Sequence, residues 1–98
     1  MKNQIFEWDE NKNKSNIEKH GISFEIAKKV FEDTNRLEAE DTRKDYGEKR
    51  FITVGKVKNL VLTVVYTIRK SAKRLISARR ASKKERENYK KQKESNEQ

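Results

Sequence analysis

The sequence predicts an α+β domain with two N-terminal helices, a four-stranded antiparallel sheet and a C-terminal helix. Apolar residues recur at helical spacing in the first third of the chain, whereas residues 37–80 alternate between apolar and polar side chains or form β-branched runs. A capping box then precedes the last helix. Short links between the strands favour an antiparallel meander over parallel crossovers. We expect a single domain over residues 1–93 and a flexible polar tail over residues 94–98.

The two N-terminal helices are indicated by their caps. The first is predicted over residues 10–20, where Asp9 would accept hydrogen bonds from the first turn and Gly21 would take the left-handed conformation that ends a helix. The second is predicted over residues 24–32, with Ser23 as its N-cap and one apolar stripe along its length. Two short helices therefore precede the sheet.

Four strands are predicted at residues 37–40, 50–57, 60–68 and 74–80. The first alternates apolar and acidic residues, so one of its faces should be solvated. The third is a continuous aliphatic and β-branched run, which is typical of a central strand that is covered on both faces. After the fourth strand, the capping box Ser82-Lys83-Lys84-Glu85 predicts a final helix that frays after residue 93.

Positive charge is concentrated in the last third of the chain. The net charge is +9, and residues 69–98 contain twelve Lys and Arg against four Glu, so this segment carries +8 of the total. So uneven a field attracts polyanions, of which nucleic acid is the commonest and an anionic membrane the second. The C-terminal helix has too little apolar surface to insert into a membrane, which favours nucleic acid or an acidic protein as the partner.

Composition excludes several other classes of protein. With 32% apolar and 42% charged residues, one small domain with a thin core is expected. The chain has no cysteine and a single histidine, so we expect neither a disulfide scaffold nor a transition-metal site, and no cofactor. No apolar run approaches the roughly 20 residues of a membrane span. The first residues do not resemble a signal peptide, which indicates a cytoplasmic protein.

Two neighbouring predicted strands carry an arginine pair. Strand alternation puts Arg69 of the third strand and Arg79 of the fourth on one face, beside hydroxyl-bearing neighbours. Leu75 would share that face, whereas Ile76 would point to the opposite, core face. Two guanidinium groups placed together could grip one phosphate and neutralise the charge of a pentacoordinate transition state. The alternative is that these arginines are only solvent-exposed surface residues without a role in binding.

Two further residues could transfer protons. His20 carries an imidazole, the side chain most often used for this purpose, but in the last turn of a helix it could equally complement the helix dipole. Glu48 lies next to Lys49 and Arg50, where it could act as a base or could orient arginines through ion pairs. The residues themselves leave both alternatives open.

Short motifs occur in a fixed order along most of the chain. They are Phe6-x-Trp8-Asp9, Lys19-His20-Gly21, Gly47-Glu48-x-Arg50, Val64-Val65-Tyr66-Thr67-x-Arg69 and Arg74-x-Ile76-Ser77-Ala78-Arg79. Each is weak alone, but with this order and spacing the sequence resembles the BrnT family of ribonuclease toxins from type II toxin–antitoxin systems. The resemblance implies a RelE-like fold and an enzyme that arrests translation by cutting RNA.

The same resemblance implies a partner and a site. The partner would be a BrnA-type antitoxin, whose ribbon-helix-helix domain binds operator DNA, so this chain would meet that DNA only through the antitoxin. The charged cleft of the family maps onto Glu48, Arg50, Arg69 and Arg79, with Lys19 and His20 nearby.

We therefore expect metal-independent RNA cleavage by attack of the neighbouring 2′-hydroxyl, which leaves a cyclic phosphate. Arg79 and Arg69 would stabilise the phosphorane, and Glu48 or His20 would move protons, with Arg50 also in the catalytic set. The predicted RNA-binding residues are Lys19, Arg74, Arg80, Lys83, Lys84 and Arg86. Two alternatives are a non-catalytic nucleic-acid-binding or co-repressor module, and an interaction protein whose basic surface matches only an acidic segment of the antitoxin.

Overall fold

The computed structural model describes residues 4–96 and confirms the α+β class. Its helical elements are α1 (Glu10–His20), α2 (Phe24–Ala27), a 3₁₀ helix that continues α2 (Lys28–Glu32) and α3 (Lys83–Asn96). Its strands are β1 (Ile5–Glu7), β2 (Leu37–Asp41), β3 (Arg50–Val57), β4 (Leu60–Arg69) and β5 (Ala72–Arg80), in the spatial order β1-β5-β4-β3-β2. No helix within residues 4–96 is long and apolar enough to cross a membrane.

The sheet has five strands rather than the four predicted, and it is mixed rather than antiparallel. β1 lies parallel to β5, with Ile5 opposite Ala72 and Glu7 opposite Arg74. The other four strands form the predicted antiparallel meander. A strand of three residues is too short to show alternation, and its parallel partner is distant in sequence, so the sequence does not reveal β1.

The helix boundaries follow the caps expected from the sequence. The Asp9 carboxylate accepts hydrogen bonds from two backbone N–H groups of the first turn (2.8 and 3.3 Å), and Gly21 has a left-handed φ of 72°. Ser82 and Glu85 form the capping box, in which each accepts a hydrogen bond from the backbone N–H of the other (3.2 and 2.8 Å). α3 continues to Asn96, three residues past the position where fraying was expected, and residues 97–98 of the predicted tail lie outside the described residues.

The two faces of the sheet are covered differently. One, the helix face, is buried under α2 and the 3₁₀ helix, and its core includes Phe24, Leu62 and Tyr66. The other, the open face, is covered near one end, where Tyr89 of α3 packs in a small cluster with Val54 of β3. Within residues 4–96, much of the open face is therefore not covered by a helix and is accessible to a ligand.

Tyr89 anchors α3 to the rest of the domain. Its ring is buried, and its hydroxyl donates a hydrogen bond of 2.5 Å to Asp33, directly after the 3₁₀ helix. The same carboxylate oxygen accepts a hydrogen bond from the backbone N–H of Lys56 on β3 (2.8 Å). Burial and the hydrogen bond to Asp33 raise the pKa of Tyr89 to about 12, so the hydroxyl remains a donor at neutral pH. One tyrosine thus connects α3 to the sheet and to the helical layer.

A β-bulge changes which side chains of β5 face the core. The pairing of β4 with β5 passes from Val65–Ser77 to Tyr66–Leu75, so Ile76 has no partner on β4. One extra residue reverses the alternation along the strand. Leu75 is therefore buried in the core, while Ile76 is half-buried outside it. The prediction that Ile76 rather than Leu75 faces the core is wrong for this reason.

Asn16 on α1 closes the edge of β5 that β1 leaves uncovered. Its side-chain amide donates to the backbone carbonyls of Ile22 and Ala78 (both 2.8 Å), and its Oδ1 accepts from the backbone N–H of Ala78 (3.0 Å). The side chain thus makes the hydrogen bonds that another strand would make. Because β1 pairs only with residues 72–74, α1 lies along the second half of β5.

Candidate functional site

The open face carries four arginines in a defined register. Arg74 on β5 and Arg50 on β3 lie on either side of Thr67 of β4, and Arg69 ends β4 two residues further on. Arg79 lies near the C-terminal end of β5. Side chains that are directly opposed in an antiparallel pair, or two residues apart on one strand, point to the same face. All four arginines therefore belong to the open face.

Glu48 joins two of these arginines. Its Oε2 accepts a hydrogen bond from Arg50 Nε (3.3 Å), and its Oε1 accepts one from Arg69 Nη2 (3.5 Å). Glu48 is 28% exposed and follows the turn at Gly47, which has a φ of 74°. The side chain of Arg69 is 55% exposed and is therefore accessible to a ligand. These contacts fit the orientation of arginines, which is one of the two roles that the sequence left open for Glu48.

Arg74 completes this cluster from the neighbouring strand. It lies opposite Thr67, which separates it from Arg50, and its Nη1 donates to Glu7 of β1 (2.7 Å). Because neighbouring strands are about 4.8 Å apart, the Cα atoms of Arg74 and Arg50 are separated by about 10 Å. Long side chains at this spacing can contact one phosphate from two sides. We call Glu48, Arg50, Arg69 and Arg74 the Glu48 cluster.

Arg79 belongs to a different contact network. Its guanidinium donates two hydrogen bonds to the carboxylate of Glu85 in the first turn of α3 (2.8 and 3.0 Å). Glu85 also accepts from the hydroxyl of Thr63 (2.9 Å), in addition to its capping role. The hydrogen bond from Arg79 is the main reason that the pKa of Glu85 is lowered to about 2. Arg79 is thus oriented by α3, not by Glu48.

The two arginines that were expected to converge are far apart. Arg79 lies opposite Thr63, whereas Arg69 lies opposite Ala72, six residues further along β4. At about 3.3 Å per residue, the two positions are separated by about 20 Å along the strand. Each guanidinium is also held by its own carboxylate. The expectation that Arg69 and Arg79 grip one phosphate is therefore wrong, because the register puts them at opposite ends of the same face.

Lys19 and His20 lie at the end of α1. This helix starts after β1, which ends beside Arg74, and it reaches Ala78 through Asn16, so it runs toward the Arg79 end of β5. His20 is half-buried, Lys19 is exposed, and no hydrogen bond or ion pair of either side chain occurs within residues 4–96. The structure therefore does not bring His20 together with Glu48.

Other predicted RNA-binding residues lie near the Arg79 end of the sheet. Lys83 and Lys84 are exposed in the first turn of α3. The Arg86 guanidinium donates to the backbone carbonyl of Ala81 (2.8 Å), which fixes the start of α3. Arg80 is exposed and is paired with Leu62, a residue of the helix face, so the register turns it away from the open face. Only part of the predicted basic surface therefore adjoins the four arginines.

The end of β2 and the loop that follows it contain residues that the sequence did not single out. Asp41, whose side chain is only 1% exposed, accepts two hydrogen bonds from the Arg43 guanidinium (2.8 and 2.9 Å) and one from the Tyr46 hydroxyl (3.0 Å). The Arg43 guanidinium holds the pKa of Asp41 well below its usual range. The Arg50 guanidinium lies 4.1 Å from the centre of the Tyr46 ring. A lone aromatic residue in a polar turn was the only sequence signal for this arrangement.

The open face keeps an excess of positive charge. Its four arginines are paired with three carboxylates, those of Glu7, Glu48 and Glu85. Arginine remains protonated at any physiological pH, so the ion pairs orient the guanidinium groups without removing the surplus charge. Within residues 4–96, no group of three or more His, Asp or Glu side chains could hold a metal ion. The arrangement is suited to binding phosphates.

We expect acid to weaken the attachment of α3 in a defined pH range. The pKa of Glu85 is 4.5 in an unfolded chain and about 2 in the folded protein, so its ionised form stabilises the fold above about pH 4.5. This contribution is lost as the pH falls toward 2. Urea denaturation should therefore show that Glu85→Gln flattens the fall in the free energy of unfolding between these pH values. Glu87→Gln, exposed in the same helix, should keep the wild-type slope, and an unchanged slope in Glu85→Gln would contradict the assignment.

Comparison with known proteins gives one family. The family model of the ribonuclease toxin BrnT of type II toxin–antitoxin systems matches residues 8–85, which include all of the Glu48 cluster and Arg79. No curated protein matches the chain. The matched segment spans β2 to β5 and most of the chain, in agreement with the motifs found in the sequence. The chain therefore belongs to the BrnT family of type II toxin–antitoxin ribonuclease toxins.

Proposed function

We propose that the protein is a metal-independent endoribonuclease that cuts RNA at the Glu48 cluster and thereby inhibits translation in the cytoplasm. The observation that carries the proposal is the pair of ion pairs from one carboxylate, Glu48, to Arg50 and Arg69 on the open face. Positive charge that is fixed in advance stabilises a transition state because it needs no reorganisation during the reaction. Membership of a ribonuclease toxin family supports the choice of RNA as the substrate.

The proposed reaction is a displacement within the RNA strand. The 2′-oxygen attacks the adjacent phosphorus, its proton passes to Glu48, the bond to the 5′-oxygen breaks, and that oxygen takes a proton from water. Arg50, Arg69 and Arg74 would stabilise the phosphorane, which carries more negative charge than the starting phosphodiester. Glu48 is the proposed base rather than His20, because Glu48 lies beside Arg50 and Arg69, where the phosphate would bind, whereas His20 does not reach this cluster. The products would be a 2′,3′-cyclic phosphate and a 5′-hydroxyl.

Arg79 would hold the RNA strand away from the scissile bond. It lies about 20 Å from Arg69 along the sheet, too far to share one phosphate. Lys83 and Lys84, exposed in the adjoining turn of α3, would add phosphate contacts at this end. A strand lying across the open face would then meet guanidinium groups at both ends, which fixes its register over the Glu48 cluster.

The test of the function is cleavage of RNA by the purified protein in the presence of EDTA. We expect fragments that end in a 2′,3′-cyclic phosphate, and we expect DNA of the same sequence to stay intact because it lacks the attacking 2′-hydroxyl. End-group analysis by mass spectrometry distinguishes cyclic phosphates from other termini. Loss of cleavage in EDTA, with recovery on addition of a divalent cation, would contradict metal independence.

The competing function is a nucleic-acid-binding or co-repressor module without catalysis. The excess of positive charge on the open face would support it equally well. It predicts RNA binding that weakens steeply as the salt concentration rises, with intact RNA after long incubation. The same incubation therefore decides between the two functions.

We further propose that a BrnA-type ribbon-helix-helix antitoxin neutralises the protein by covering the open face. The surplus of guanidinium groups there favours acidic segments in the partner, since complementary charge speeds and orients association. Operator DNA would be bound through the antitoxin alone. Membership of a toxin–antitoxin family supports an antitoxin partner in general, and the charge of the open face supports this mode of binding.

A further inference from the structure

Tyr46 differs from every other aromatic residue of the protein in its surroundings. Of the eight aromatic side chains, all of which lie within residues 4–96, seven pack in the two hydrophobic clusters. Tyr46 is half-buried and belongs to neither cluster. Its ring is therefore not used to fill the core, although it lies two residues from Glu48 in the loop between β2 and β3.

The ring of Tyr46 is nevertheless held in one position. Its hydroxyl donates to Asp41, whose buried carboxylate is itself fixed by two hydrogen bonds from the Arg43 side chain. The next turn is closed by the backbone N–H of Gly47, which donates to Asp45 (3.0 Å). The half-buried ring is thus held by a loop that is ordered by its own hydrogen bonds.

Two cations flank this ring. The Arg50 guanidinium lies 4.1 Å from the ring centre, and the Lys44 ammonium lies 5.9 Å from it. Arg50 also contacts Glu48, which in turn holds Arg69. The ring therefore contacts one of the guanidinium groups that are proposed to bind the scissile phosphate, that of Arg50.

We propose that Tyr46 and Arg50 form a stacking site for a nucleobase of the RNA, next to the phosphate bound by the Glu48 cluster. The inference rests on the proposed ribonuclease function and adds to it a subsite for one base. Aromatic rings and guanidinium planes are the surfaces on which unpaired bases stack, and any base has a suitable face. The site would accept single-stranded RNA and would position the strand before cleavage.

A purely structural role for the ring makes different predictions. If the contact with Arg50 served only to order the loop, then removal of the ring would change the fold or the rate whatever base is present. If the ring stacks on a base, then removal of the ring and removal of that base must weaken RNA binding by the same factor, and the two effects must not be additive. The comparison of the two removals therefore tests the inference directly.

The experiment uses two variants and a set of modified RNAs. Tyr46→Phe keeps the ring without the hydroxyl, and Tyr46→Leu keeps an apolar side chain without the ring. The probe is a short single-stranded RNA with 2′-O-methyl riboses, which cannot be cut, and versions of it in which each base in turn is replaced by an abasic residue. Affinity is measured by fluorescence anisotropy, and circular dichroism melting checks that both variants are folded.

We expect Tyr46→Phe to bind within about threefold of the wild type and Tyr46→Leu to bind about 5- to 150-fold more weakly, as for loss of one stacked base. One abasic position should weaken wild-type binding by a similar factor and should have no further effect in Tyr46→Leu. Equal binding by Tyr46→Leu and the wild type, or additive effects of the two removals, would overturn the stacking site.

The same samples separate this inference from the proposed function. Cleavage of the unmodified RNA by the wild-type protein is measured in parallel. Cleavage without any dependence of binding on a base rejects the stacking site and leaves the ribonuclease intact. Absence of cleavage, with a coupled effect of ring and base on binding, rejects the catalytic proposal and keeps the stacking site.

Discussion

Arg69→Ala is expected to lower kcat for RNA cleavage by about a hundredfold to a thousandfold, the effect of removing one fixed charge that stabilises a transition state. Arg69 is more than half exposed and makes one ion pair, to Glu48, so its loss should leave the fold unchanged. Glu48 would keep its contact with Arg50. The effect on the chemical step would be checked under single-turnover conditions with a short RNA, because the observed rate constant then excludes product release.

Two further variants make this result specific. Lys14→Ala removes one exposed positive charge from α1 and should retain wild-type kcat, which controls for the change in net charge. Arg79→Ala should mainly weaken RNA binding and raise KM, because its side chain lies at the other end of the open face. If Arg79→Ala lost kcat while Arg69→Ala kept it, the reaction centre would have to be moved from the Glu48 cluster to the α3 end.

Asn16→Ala is expected to destabilise the fold by about 3 kcal/mol or more. Asn16 is only 6% exposed, and its side chain forms hydrogen bonds with three backbone groups: the carbonyls of Ile22 and Ala78, and the N–H of Ala78. Each buried polar group that loses its partner costs about 1–3 kcal/mol. Urea denaturation, followed by far-ultraviolet circular dichroism, gives the free energy of unfolding of the variant and of the wild type.

The matched control for this prediction lies on the same helix. Asn11→Ala makes the same chemical change at an exposed position and should shift the free energy of unfolding by less than about 0.5 kcal/mol. Asn16→Asp tests the mechanism, because a carboxylate keeps the size of the side chain and one acceptor but cannot donate to the two carbonyls. A small effect of Asn16→Ala, comparable to that of Asn11→Ala, would show that α1 does not seal the edge of β5.

Activity should depend on the hydrogen bonds from Asn16 to the edge of β5, because the same strand carries arginines of the open face. β5 carries Arg74 and Arg79 on the open face. Ala78, which is hydrogen-bonded to Asn16, lies between these two arginines in the strand. A loosened β5 would let both arginines shift relative to Glu48. Reaction rates are sensitive to such shifts, since misplacement by about 1 Å can cost about a hundredfold.

Local signals in the sequence were sufficient for the helices and for four of the strands. Asp9, Gly21 and the pair Ser82–Glu85 form the caps that their residue types indicate, because a cap is made by atoms within a few residues of one another. The boundaries of β3 agree with the alternation of its side chains. The family was also evident from the order of motifs, which requires no three-dimensional information.

The candidate site was only partly predictable. Glu48, Arg50 and Arg69 belong to one cluster, as their membership of the predicted catalytic set suggested, but Arg79 and His20 do not join it. Arg74, predicted only to bind RNA, belongs to the Glu48 cluster, whereas Arg79 does not. Tyr46 was not predicted at all. Its contact with Arg50 depends on the shape of the turn, which is held by the hydrogen bond from Tyr46 to the buried carboxylate of Asp41.

The class of fold, the caps, the excess of basic residues and the family could all be predicted, since each depends on residue identity or on neighbours along the chain. Three features became visible only in the folded chain: the parallel pairing of β1, the bulge at Ile76 and the distance between Arg69 and Arg79. These depend on the register between strands. A shift of one residue in the register moves each side chain of a strand to the opposite face and by about 3.3 Å along the strand. The amino-acid composition does not reveal such a shift.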